Sequence, residues 1–492
     1  MKIITLESAL ATLFAATCLY VIYECFFSPL AKFPGPFIAK FSRFWRIKKH
    51  WTNQWHHDVL DLHRTYGPVV RISPNELSVA DPDAFREIYR VKDTFKKGPS
   101  YAILQGKRPF DLAGERNETV HGMQRKLVAR PYTMESMRSL EPQIRLVMEE
   151  VLEKLDAAAA NKSSQDIDLG YLFQLFAFDV IGAVSFAQPF GFVKAFSDNG
   201  LFTRIQRSMK STSWIMQAGG FYDFHETWVR PIFGNFLAAN DRNGYFFEFA
   251  KRQVTERKEK GIAGDNDMVG QLFQAQQTKN QPDDLSISFM MATNVFAGSD
   301  TTSSTMRAAF LHLMEKPEII DKIRAELQDR CPGRAGELYT SEECSRCEYL
   351  QAVIYEALRI LPPVAMTLDR EVPERGMTIR GKFVPGGTVV GSSAWTIHRM
   401  PEIWGDDAEE FQPERWLNKE TVGELKRYFF SFGGGTRTCI GRNIAWLELE
   451  VLLATLLMRY DFKLADDAKV EEDCGLLVLL LGVKAQVTRR EI

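Results

Sequence analysis

Cysteine is scarce in this chain. Only seven cysteines occur among its 492 residues, and they are odd in number and widely spread. Such spacing excludes the disulfide framework of a small secreted protein and fits a reducing compartment. One C-x-x-C pair has no second pair and no nearby histidine, so ordinary thiols are favoured over zinc or redox chemistry. The cysteines are Cys18, Cys25, Cys331, Cys344, Cys347, Cys439 and Cys474.

An excess of charge of one sign is also lacking. The 61 basic and 63 acidic side chains leave a net charge of -2, so no global field favours nucleic acid as a partner. Internal repeats and low-complexity linkers are absent after Pro36. Although 492 residues would by length alone suggest two or three domains, this continuity predicts one folded body over residues 37–492. With 45% hydrophobic and 25% charged residues, the composition is that of a globular protein.

A long hydrophobic run stands at the N-terminus. Ser8–Phe27 contains no charged residue except Glu24 and reaches the ~20 apolar residues that a membrane-spanning helix needs. A cleaved signal peptide is the alternative, but no small-x-small cleavage site ends the run. The basic residues from Lys32 to Lys49 predict that the body faces the cytosol. Because Pro34-Gly35-Pro36 stops the helix, residues 1–36 are predicted to form a membrane anchor and a hinge.

Helical patterns dominate the body, with short strands near both of its ends. Val69–Ile72 and Leu77–Val79 are predicted strands, and Asp81-Pro82 predicts the start of a helix. Long helical patterns fill residues 120–360. A late hairpin is predicted from Met377–Ile379 and Thr388–Val390. The predicted fold class is therefore mainly α with small β-sheets.

The most specific pattern is the stretch Phe432-Gly433-Gly434-Gly435-Thr436-Arg437-Thr438-Cys439-Ile440-Gly441. Its glycines allow the backbone to approach a flat ligand closely. Cys439 precedes an apolar helical run, Ala445–Met458, whose N-terminus favours a thiolate. Arg437 offers a cation to an acidic group. Thiolate, close backbone and guanidinium together suit haem with its propionates. A glycine-rich loop with a buried free cysteine is the alternative.

An acid and an alcohol stand side by side within a long apolar helical pattern. Asp300 and Thr301 lie in the middle of Leu285–Met314, directly after Gly298-Ser299. Glycine weakens a helix, and the threonine hydroxyl can bond back to a carbonyl, so the helix is expected to widen there and hold water. An acid followed by an alcohol then suits a proton relay. Polar residues on a solvent-facing side of the helix are the alternative.

A second helical motif carries a possible ion pair. Glu356 and Arg359 lie three residues apart in the helical run Glu348–Ile360, so their side chains share one face and can pair. Such a pair is common on protein surfaces and alone contributes little. His121 and Arg125 are four residues apart and also share a helix face.

The cysteine loop resembles the haem-binding signature of the cytochromes P450. Cys439 matches the proximal thiolate that binds the haem iron, and the other fixed places of the signature are matched by Phe432, Gly435, Arg437 and Gly441. The resemblance covers essentially the whole chain. It implies a triangular, mostly helical body with small sheets, and haem b held between two long helices.

This resemblance gives the other motifs expected roles. Glu356 and Arg359, completed by Arg415, match a structural network of the family. Ala297 and Gly298 are expected to lie against the haem, and Asp300 and Thr301 to deliver protons to bound oxygen. The residues expected to bind the haem propionates are His121, Arg125 and Arg370, although the family often has tryptophan in the place of His121.

The implied activity is that of a monooxygenase. Such an enzyme activates O2 with two electrons and two protons and inserts oxygen into a C–H bond or an alkene. No glycine-rich flavin or nicotinamide fingerprint is present in the sequence, so the expected electron donor is a separate membrane-bound NADPH–cytochrome P450 reductase, with cytochrome b5 as a second expected partner. The expected location is the endoplasmic reticulum membrane, with a single span in the lipid bilayer.

Two other functions remain open for a haem-thiolate protein. One is an isomerase or dehydratase that rearranges a peroxide without a reductase, and the other is a non-catalytic haem sensor or carrier. The Asp300-Thr301 pair and the membrane anchor argue against the first. The same pair argues against the second, which would need no proton relay.

The expected substrate is a bulky apolar small molecule. The segments expected to line the pocket are 101–112, 201–222, 294–298, 364–369 and 475–481, and they carry the large apolar residues Phe110, Phe202, Trp214, Phe221, Phe296 and Leu477–Leu481. The stretch Tyr66–Pro82 is most similar to fungal members of the pisatin-demethylase type. Secondary-metabolite biosynthesis is therefore expected, with xenobiotic detoxification as the alternative.

Overall fold

The N-terminal apolar run forms a helix that the body does not cover. The computed structural model describes residues 6–106, 108–161, 166–219, 221–234, 244–259, 267–276, 282–334 and 336–491, so the first five residues of the predicted anchor lie outside it. Helix α1 (Leu6–Ile22) continues into a π-helical turn over Tyr23–Phe27. Ser8–Phe27 has a mean hydropathy of 1.7 and is not buried, which fits a membrane-spanning helix.

The segment after this helix packs against the body. The carbonyl oxygen of Pro34 accepts a hydrogen bond of 2.7 Å from the backbone N–H of Arg71, and Gly35 lies so close to Arg71 that no Cβ would fit. The buried guanidinium of Arg71 pairs with Glu24, the one acid of the apolar run. Phe33 is also buried. These contacts fix the direction in which the chain leaves the body, while a division into two units at residue 36 stays a prediction.

Helices make up most of the body, and their apolar faces form its core. The helices after α1 are α2 (Phe44–Trp51), α3 (Trp55–Tyr66), α4 (Pro82–Ile88), α5 (Ala102–Gln105), α6 (Glu118–Val128), α7 (Met134–Ser139), α8 (Glu141–Ala160), α9 (Leu169–Phe186), α10 (Phe192–Ala195), α11 (Leu201–Ile215), α12 (Phe221–Phe224), α13 (Arg230–Phe233), α14 (Tyr245–Glu259), α15 (Met268–Ala275), α16 (Asp284–Glu315), α17 (Pro317–Arg330), α18 (Ser341–Cys344), α19 (Glu348–Ile360), α20 (Ala394–Ile397), α21 (Pro401–Trp404), α22 (Val422–Tyr428) and α23 (Arg442–Arg459).

Helices α9, α16 and α23 contribute many of the buried residues of the core. The described side chains of α9 are almost all buried, so this apolar helix is a core element although its length would also suit a membrane. Helix α16 begins after Asp283, whose carboxylate accepts a hydrogen bond from the N–H of Ser286. It follows the predicted run closely, and α19 matches the predicted helix from Glu348 to Ile360. The predicted mainly helical class is confirmed.

The strands form small sheets at the edge of the helical body. One sheet has the order β1-β2-β7-β4, and the early strands and the Asp81 cap of α4 are as predicted. A second sheet has the order β3-β11-β8, and two hairpins pair β5 with β6 and β9 with β10. The strands are β1 (Val69–Ser73), β2 (Glu76–Val79), β3 (Asp166–Asp168), β4 (Arg370–Glu371), β5 (Met377–Ile379), β6 (Lys382–Val384), β7 (Val389–Gly391), β8 (Tyr460–Leu464), β9 (Glu471–Cys474), β10 (Val478–Leu481) and β11 (Lys484–Arg489).

The prediction for the late hairpin is wrong about the second strand. Met377–Ile379 pairs with Lys382–Val384, whereas β7 pairs with β2 and β4. The turn between β5 and β6 consists of Arg380 and Gly381, and both have positive φ. A two-residue turn of this kind matches the twist of antiparallel strands, so the nearer strand forms the hairpin.

A buried charge network fixes the segment that leads to the cysteine loop. Glu356 and Arg359 are joined by two hydrogen bonds of 2.8 Å, and Arg415 Nε reaches the same carboxylate at 2.9 Å. Arg359 also donates to the carbonyl oxygens of His398 and Ala408. The ring of His398 accepts from the N–H of Phe430 at 2.8 Å, directly before the loop. The predicted structural network is therefore present and buried.

Candidate haem-binding site

A cavity of about 390 Å³ separates α16 from the cysteine loop. Ala297, Gly298 and Thr301 line it from α16, and Phe432 and the segment 437–441 line it from the loop. The cysteine loop ends where α23 begins at Arg442. Two motifs that are distant in the sequence thus line the same cavity.

Cys439 presents its thiol to this cavity. The residue is exposed although protein surrounds it, because its accessible surface faces the interior space. Its backbone N–H donates to the carbonyl oxygen of Phe432 at 2.8 Å, which closes the loop. Burial raises the pKa of the thiol, whereas the N–H of Gly441 and the charges of Arg125 and Arg442 lower it. The helix terminus alone does not offset burial, but a coordinated metal would stabilise the thiolate.

Gly435 shapes the loop from outside the cavity. It has φ near +63°, and a Cβ there would lie 2.6 Å from the carbonyl oxygen of Tyr89. No residue with a side chain fits this position without strain. Gly435 does not line the cavity, whereas Gly441 does.

Positive side chains cluster at one edge of the cavity. Arg437 donates from Nε and Nη2 to the carboxylate of Glu118 at 3.0 and 2.7 Å, while its Nη1 is buried without a hydrogen-bond partner in the described part of the chain. Arg125 donates to the carbonyl oxygen of Thr438 at 2.8 Å. The described residues that line the cavity include no aspartate or glutamate. The basic ones are Lys97, His121, Arg125, Arg370 and Arg437.

His121 is held neutral by this environment. Helix α6 begins after Asn117, whose side chain accepts from two backbone N–H groups and places His121 one turn later against the cavity. Burial, and then the charges of Arg437 and its basic neighbours, lower the pKa of His121 to about 3. A buried cluster of cations without anions is costly, so an anionic guest would stabilise it. Thiol, apolar walls and basic edge together fit haem with two propionates.

The acid and the alcohol of α16 face different spaces. Thr301 lines the cavity, and its hydroxyl donates to the carbonyl oxygen of Ala297 at 3.0 Å. Asp300 does not line the cavity. Its carboxylate accepts a 2.7 Å hydrogen bond from Gln174, which in turn accepts one from Arg307. Burial raises the pKa of Asp300 to about 6, although Gln174 and Arg307 act in the opposite direction.

The expected widening of α16 is not observed. The helix is α-helical without interruption from Asp284 to Glu315, because the hydroxyls of Thr301 and Thr302 bond back to carbonyls that remain within the helix. Asp300 instead lines a small neighbouring pocket, and two residues of that pocket, Met209 and Leu477, also line the cavity.

The expected substrate side of the cavity is apolar, but most of the large apolar residues predicted there lie elsewhere. Of these, Phe296 and Leu477 line it. Phe110 and Phe202 are buried in the core, and Trp214 and Phe221 contact each other outside it. Gly220, within the predicted wall segment 201–222, lies outside the described residues. Side chains at this wall include Leu104, Leu112, Ile181, Met209, Met290, Thr293, Val364, Met366 and Leu476.

Sequence reasoning missed Lys97 at the cavity edge. Lys97 forms an isolated β-bridge with Arg370, and its ammonium lies 4.5 Å from the ring centre of Tyr101. Both residues line the cavity, and Tyr101 belongs to the segment 101–112 that was expected there. Lys97 precedes that segment, and its pairing with the distant Arg370 brings it to the cavity.

Comparisons with known proteins agree with this geometry. The sequence profile of the family described as Cytochrome P450 matches residues 33–489. Cytochrome P450 monooxygenase hepC of Aspergillus oryzae is 48% identical over 91% of this chain and 90% of its own length. A cytochrome P450 monooxygenase of Aspergillus terreus is 33% identical over 88% of this chain and 90% of its own. Pisatin demethylase of Fusarium vanettenii is 31% identical over 92% of this chain and 89% of its own length. The chain therefore belongs to the cytochrome P450 family of haem-thiolate monooxygenases and is an oxidoreductase.

Proposed function

We propose that this enzyme oxidises a bulky apolar small molecule in fungal secondary metabolism, with Cys439 as the ligand of the haem iron. The observation that carries the proposal is one cavity lined by both Cys439 and Thr301, with apolar walls and a basic edge. An isomerase or a haem carrier would also need the thiol, but neither accounts for Thr301 in the same cavity.

Haem bound to Cys439 would supply reductive activation of O2, favoured by the electron-rich thiolate. Around it the chain's own residues have separate tasks. Arg125, Arg370, Arg437 and His121 would bind the propionates, and Lys97 would join them. Phe432 and Gly441 would lie on the thiolate side, with Ala297 and Gly298 on the opposite side.

Proton delivery in this proposal involves two residues of α16. The hydroxyl hydrogen of Thr301, now bonded to the carbonyl oxygen of Ala297, would turn toward the cavity to donate. Burial raises the pKa of Asp300 to about 6, so this carboxyl would take up and release a proton just below neutral pH. Because Asp300 lies outside the cavity, the direct donor is Thr301.

The substrate class follows from the wall opposite Cys439. Phe296, Met290, Leu476 and Leu477 present apolar surface, and Thr293 is a polar exception. This lining suits a large hydrocarbon framework and excludes a highly charged substrate. Hydroxylation, epoxidation and demethylation are all compatible with it. The fungal relatives, one of them named a pisatin demethylase, support a role in secondary metabolism.

Electrons are proposed to come from a membrane-bound NADPH–cytochrome P450 reductase, with cytochrome b5 as a second donor. Exposed cations near the thiolate side would bind an acidic partner surface: Arg130, Lys426, Arg427 and Arg442. Ser8–Phe27 would anchor the enzyme in the endoplasmic reticulum membrane with the body on the cytosolic side.

The test of this function is reconstitution with a purified reductase. Candidate apolar metabolites would be screened for a shift of the haem spectrum, and the binders would be incubated with reductase, NADPH and O2. We expect product formation that requires NADPH. Conversion of a peroxide without NADPH would identify an isomerase or dehydratase instead, and binding without any turnover would identify a carrier.

The membrane anchor is tested by deletion of residues 1–27. Cells that express the full chain or the deletion would be fractionated and washed with high salt. We expect the full chain to stay with the membranes and the deletion to be released with its haem. A deletion that remains in the washed pellet would contradict an anchor formed by this helix alone.

A further inference from the structure

Two adjacent histidines and a glutamate come together in a partly exposed cluster that is separate from the cysteine loop. His56 Nε2 lies 2.7 Å and His57 Nε2 lies 2.6 Å from the same oxygen of Glu472. The three possible ligand atoms lie within 4.8 Å of one another. The histidines belong to the first turn of α3 and the glutamate to β9, so the cluster joins two elements that are distant in the chain.

We propose that His56, His57 and Glu472 form a binding site for a divalent transition-metal ion, best suited to Zn²⁺. Two imidazoles and one carboxylate are the protein ligands of many zinc sites that leave a fourth position to water. Zinc bonds of about 2.0–2.2 Å in tetrahedral geometry place ligand atoms roughly 3.3 Å apart. The carboxylate would therefore move back by about 0.7 Å, which a glutamate on a surface hairpin can do.

The surroundings leave the ligand atoms accessible. The side chain of His57 is 53% exposed and that of Glu472 is 31% exposed, while His56 is buried and holds the cluster against the body. The rings of His56 and Trp395 are 4.6 Å apart, which fixes the direction of the imidazole. A metal ion could thus reach the cluster from solvent and still have one rigid ligand.

The charges near the cluster also permit a cation. Both histidines place Nε2 against the carboxylate of Glu472, so each imidazole can coordinate through this nitrogen once its proton is released. The carboxylate of Glu472 brings a negative charge to the cluster. The cation that opposes metal binding is Arg399, and it is paired with Glu409 at 2.9 Å. The local charge therefore does not exclude Zn²⁺.

A missing hydrogen bond at His56 limits the expected affinity for zinc. Nδ1 of His56 is buried and has no hydrogen-bond partner among the described residues. When Nε2 binds a metal, the ring proton moves to this nitrogen, where no acceptor supports it. We therefore expect weaker binding than at a structural zinc site with complete outer hydrogen bonds.

A metal at this position would tie α3 to the hairpin of β9 and β10. That hairpin is already joined to α11 by the pair of Lys210 and Asp473. It is also joined to α16 by a 2.6 Å hydrogen bond from the hydroxyl of Ser304 to the carbonyl oxygen of Val478. The ion would replace the hydrogen bonds between the two histidines and Glu472 with coordination bonds. Because this arrangement exists only in the folded protein, zinc binding should stabilise the fold.

The test is a Zn²⁺ titration of the full-length, haem-loaded protein after removal of bound metals by EDTA. Calorimetry would compare the wild type with His57→Gln and Glu472→Gln. Both substitutions keep a hydrogen-bonding side chain but remove a good zinc ligand. The control is His312→Gln, which alters a histidine that faces Glu315 at 3.1 Å without a third ligand.

We expect one Zn²⁺ per chain in the wild type and in the control, and binding weakened by about tenfold or more in His57→Gln and Glu472→Gln. Zinc should raise the melting temperature of the wild type and of His312→Gln, but not that of the two ligand variants. Mg²⁺, which prefers oxygen ligands, should not replace zinc. Absence of zinc binding in the wild type, or equal affinity in the wild type and both ligand variants, would overturn the proposal.

Discussion

Two groups of buried charges in this protein differ in how they are neutralised. Around Arg359 the protein supplies every partner: the carboxylate of Glu356 and the carbonyl oxygens of three other residues. Around the cavity, the described lining contains basic residues but no acidic side chain. Among these basic residues, Arg437 donates a hydrogen bond to Glu118, which does not line the cavity. A complete network is a structural element, whereas an incomplete one indicates a binding site whose ligand brings the missing charge.

The largest effect is expected where the complete network is broken. Arg359→Ala leaves the carboxylate of Glu356 buried beside fewer donors, and loss of one partner of a buried pair costs about 3–5 kcal/mol. We expect little or no folded, haem-containing protein. The measurement is the yield of holoprotein and its urea midpoint. Arg346→Ala is the control, since it removes an exposed pair with Glu342. Equal yields for both variants would show that the network is dispensable.

Breaking the incomplete network should affect the ligand more than the fold. Arg437→Leu removes charge-assisted hydrogen bonds to an expected propionate, worth about 1.5–3 kcal/mol or roughly a tenfold to hundredfold faster haem loss. The measurement is transfer of haem to an excess of apomyoglobin. Arg427→Leu serves as the control because Arg427 is exposed and paired with Glu424. If both variants released haem at the wild-type rate, Arg437 would have no part in haem binding.

The sequence predicted the parts of the site whose residues are neighbours in the chain. Phe432, Cys439 and Gly441 come to the cavity because one loop carries them all, and α16 follows its apolar pattern from end to end. Lys97 could not be predicted, since its position depends on pairing with Arg370, far along the chain. The substrate wall was predicted poorly because apolar side chains such as Phe202 fit a core as well as a pocket.

The orientation of Asp300 was also beyond the sequence. The motif places the acid next to Thr301, but successive residues of a helix point in different directions. Which of them faces the cavity depends on how α16 packs against α9, where Gln174 binds the carboxylate. The predicted pairing of the late hairpin was wrong for a local reason, because Arg380 and Gly381 form a two-residue turn that pairs β5 with β6.

A smaller effect is expected when only the hydroxyl opposite Cys439 is removed. Thr301→Ala should retain haem, since the residue contributes no charge and its hydroxyl is bonded within the helix. NADPH should still be consumed, but product per NADPH should fall by about tenfold or more while hydrogen peroxide appears. Thr302→Ala removes a hydroxyl with a similar bond to Gly298 and should have a weaker effect. Unchanged coupling in Thr301→Ala would show that another group donates the proton.

The remaining comparison concerns how stability depends on pH at Asp300. Burial raises its pKa to about 6 from the ordinary 3.8, so the folded protein holds the proton more tightly than the unfolded chain. This contribution is complete below about pH 3.8 and is lost as pH rises through about 6. The stability of the wild type relative to Asp300→Asn should therefore fall by about 3 kcal/mol over that range. Urea unfolding at several pH values measures it, with exposed Asp93→Asn as control. A constant difference would contradict the raised pKa.

The most direct test of the account is the carbon monoxide difference spectrum of Cys439→Ala. The claim is that this thiol, and no other cysteine of the chain, binds the haem iron. The reduced wild type with CO should absorb near ~450 nm, because that shift reports an electron-rich thiolate ligand. Cys25 is a half-buried cysteine within the predicted anchor, and Cys25→Ala should keep the band. In Cys439→Ala the band should be absent, and a normal band in this variant would contradict the central claim.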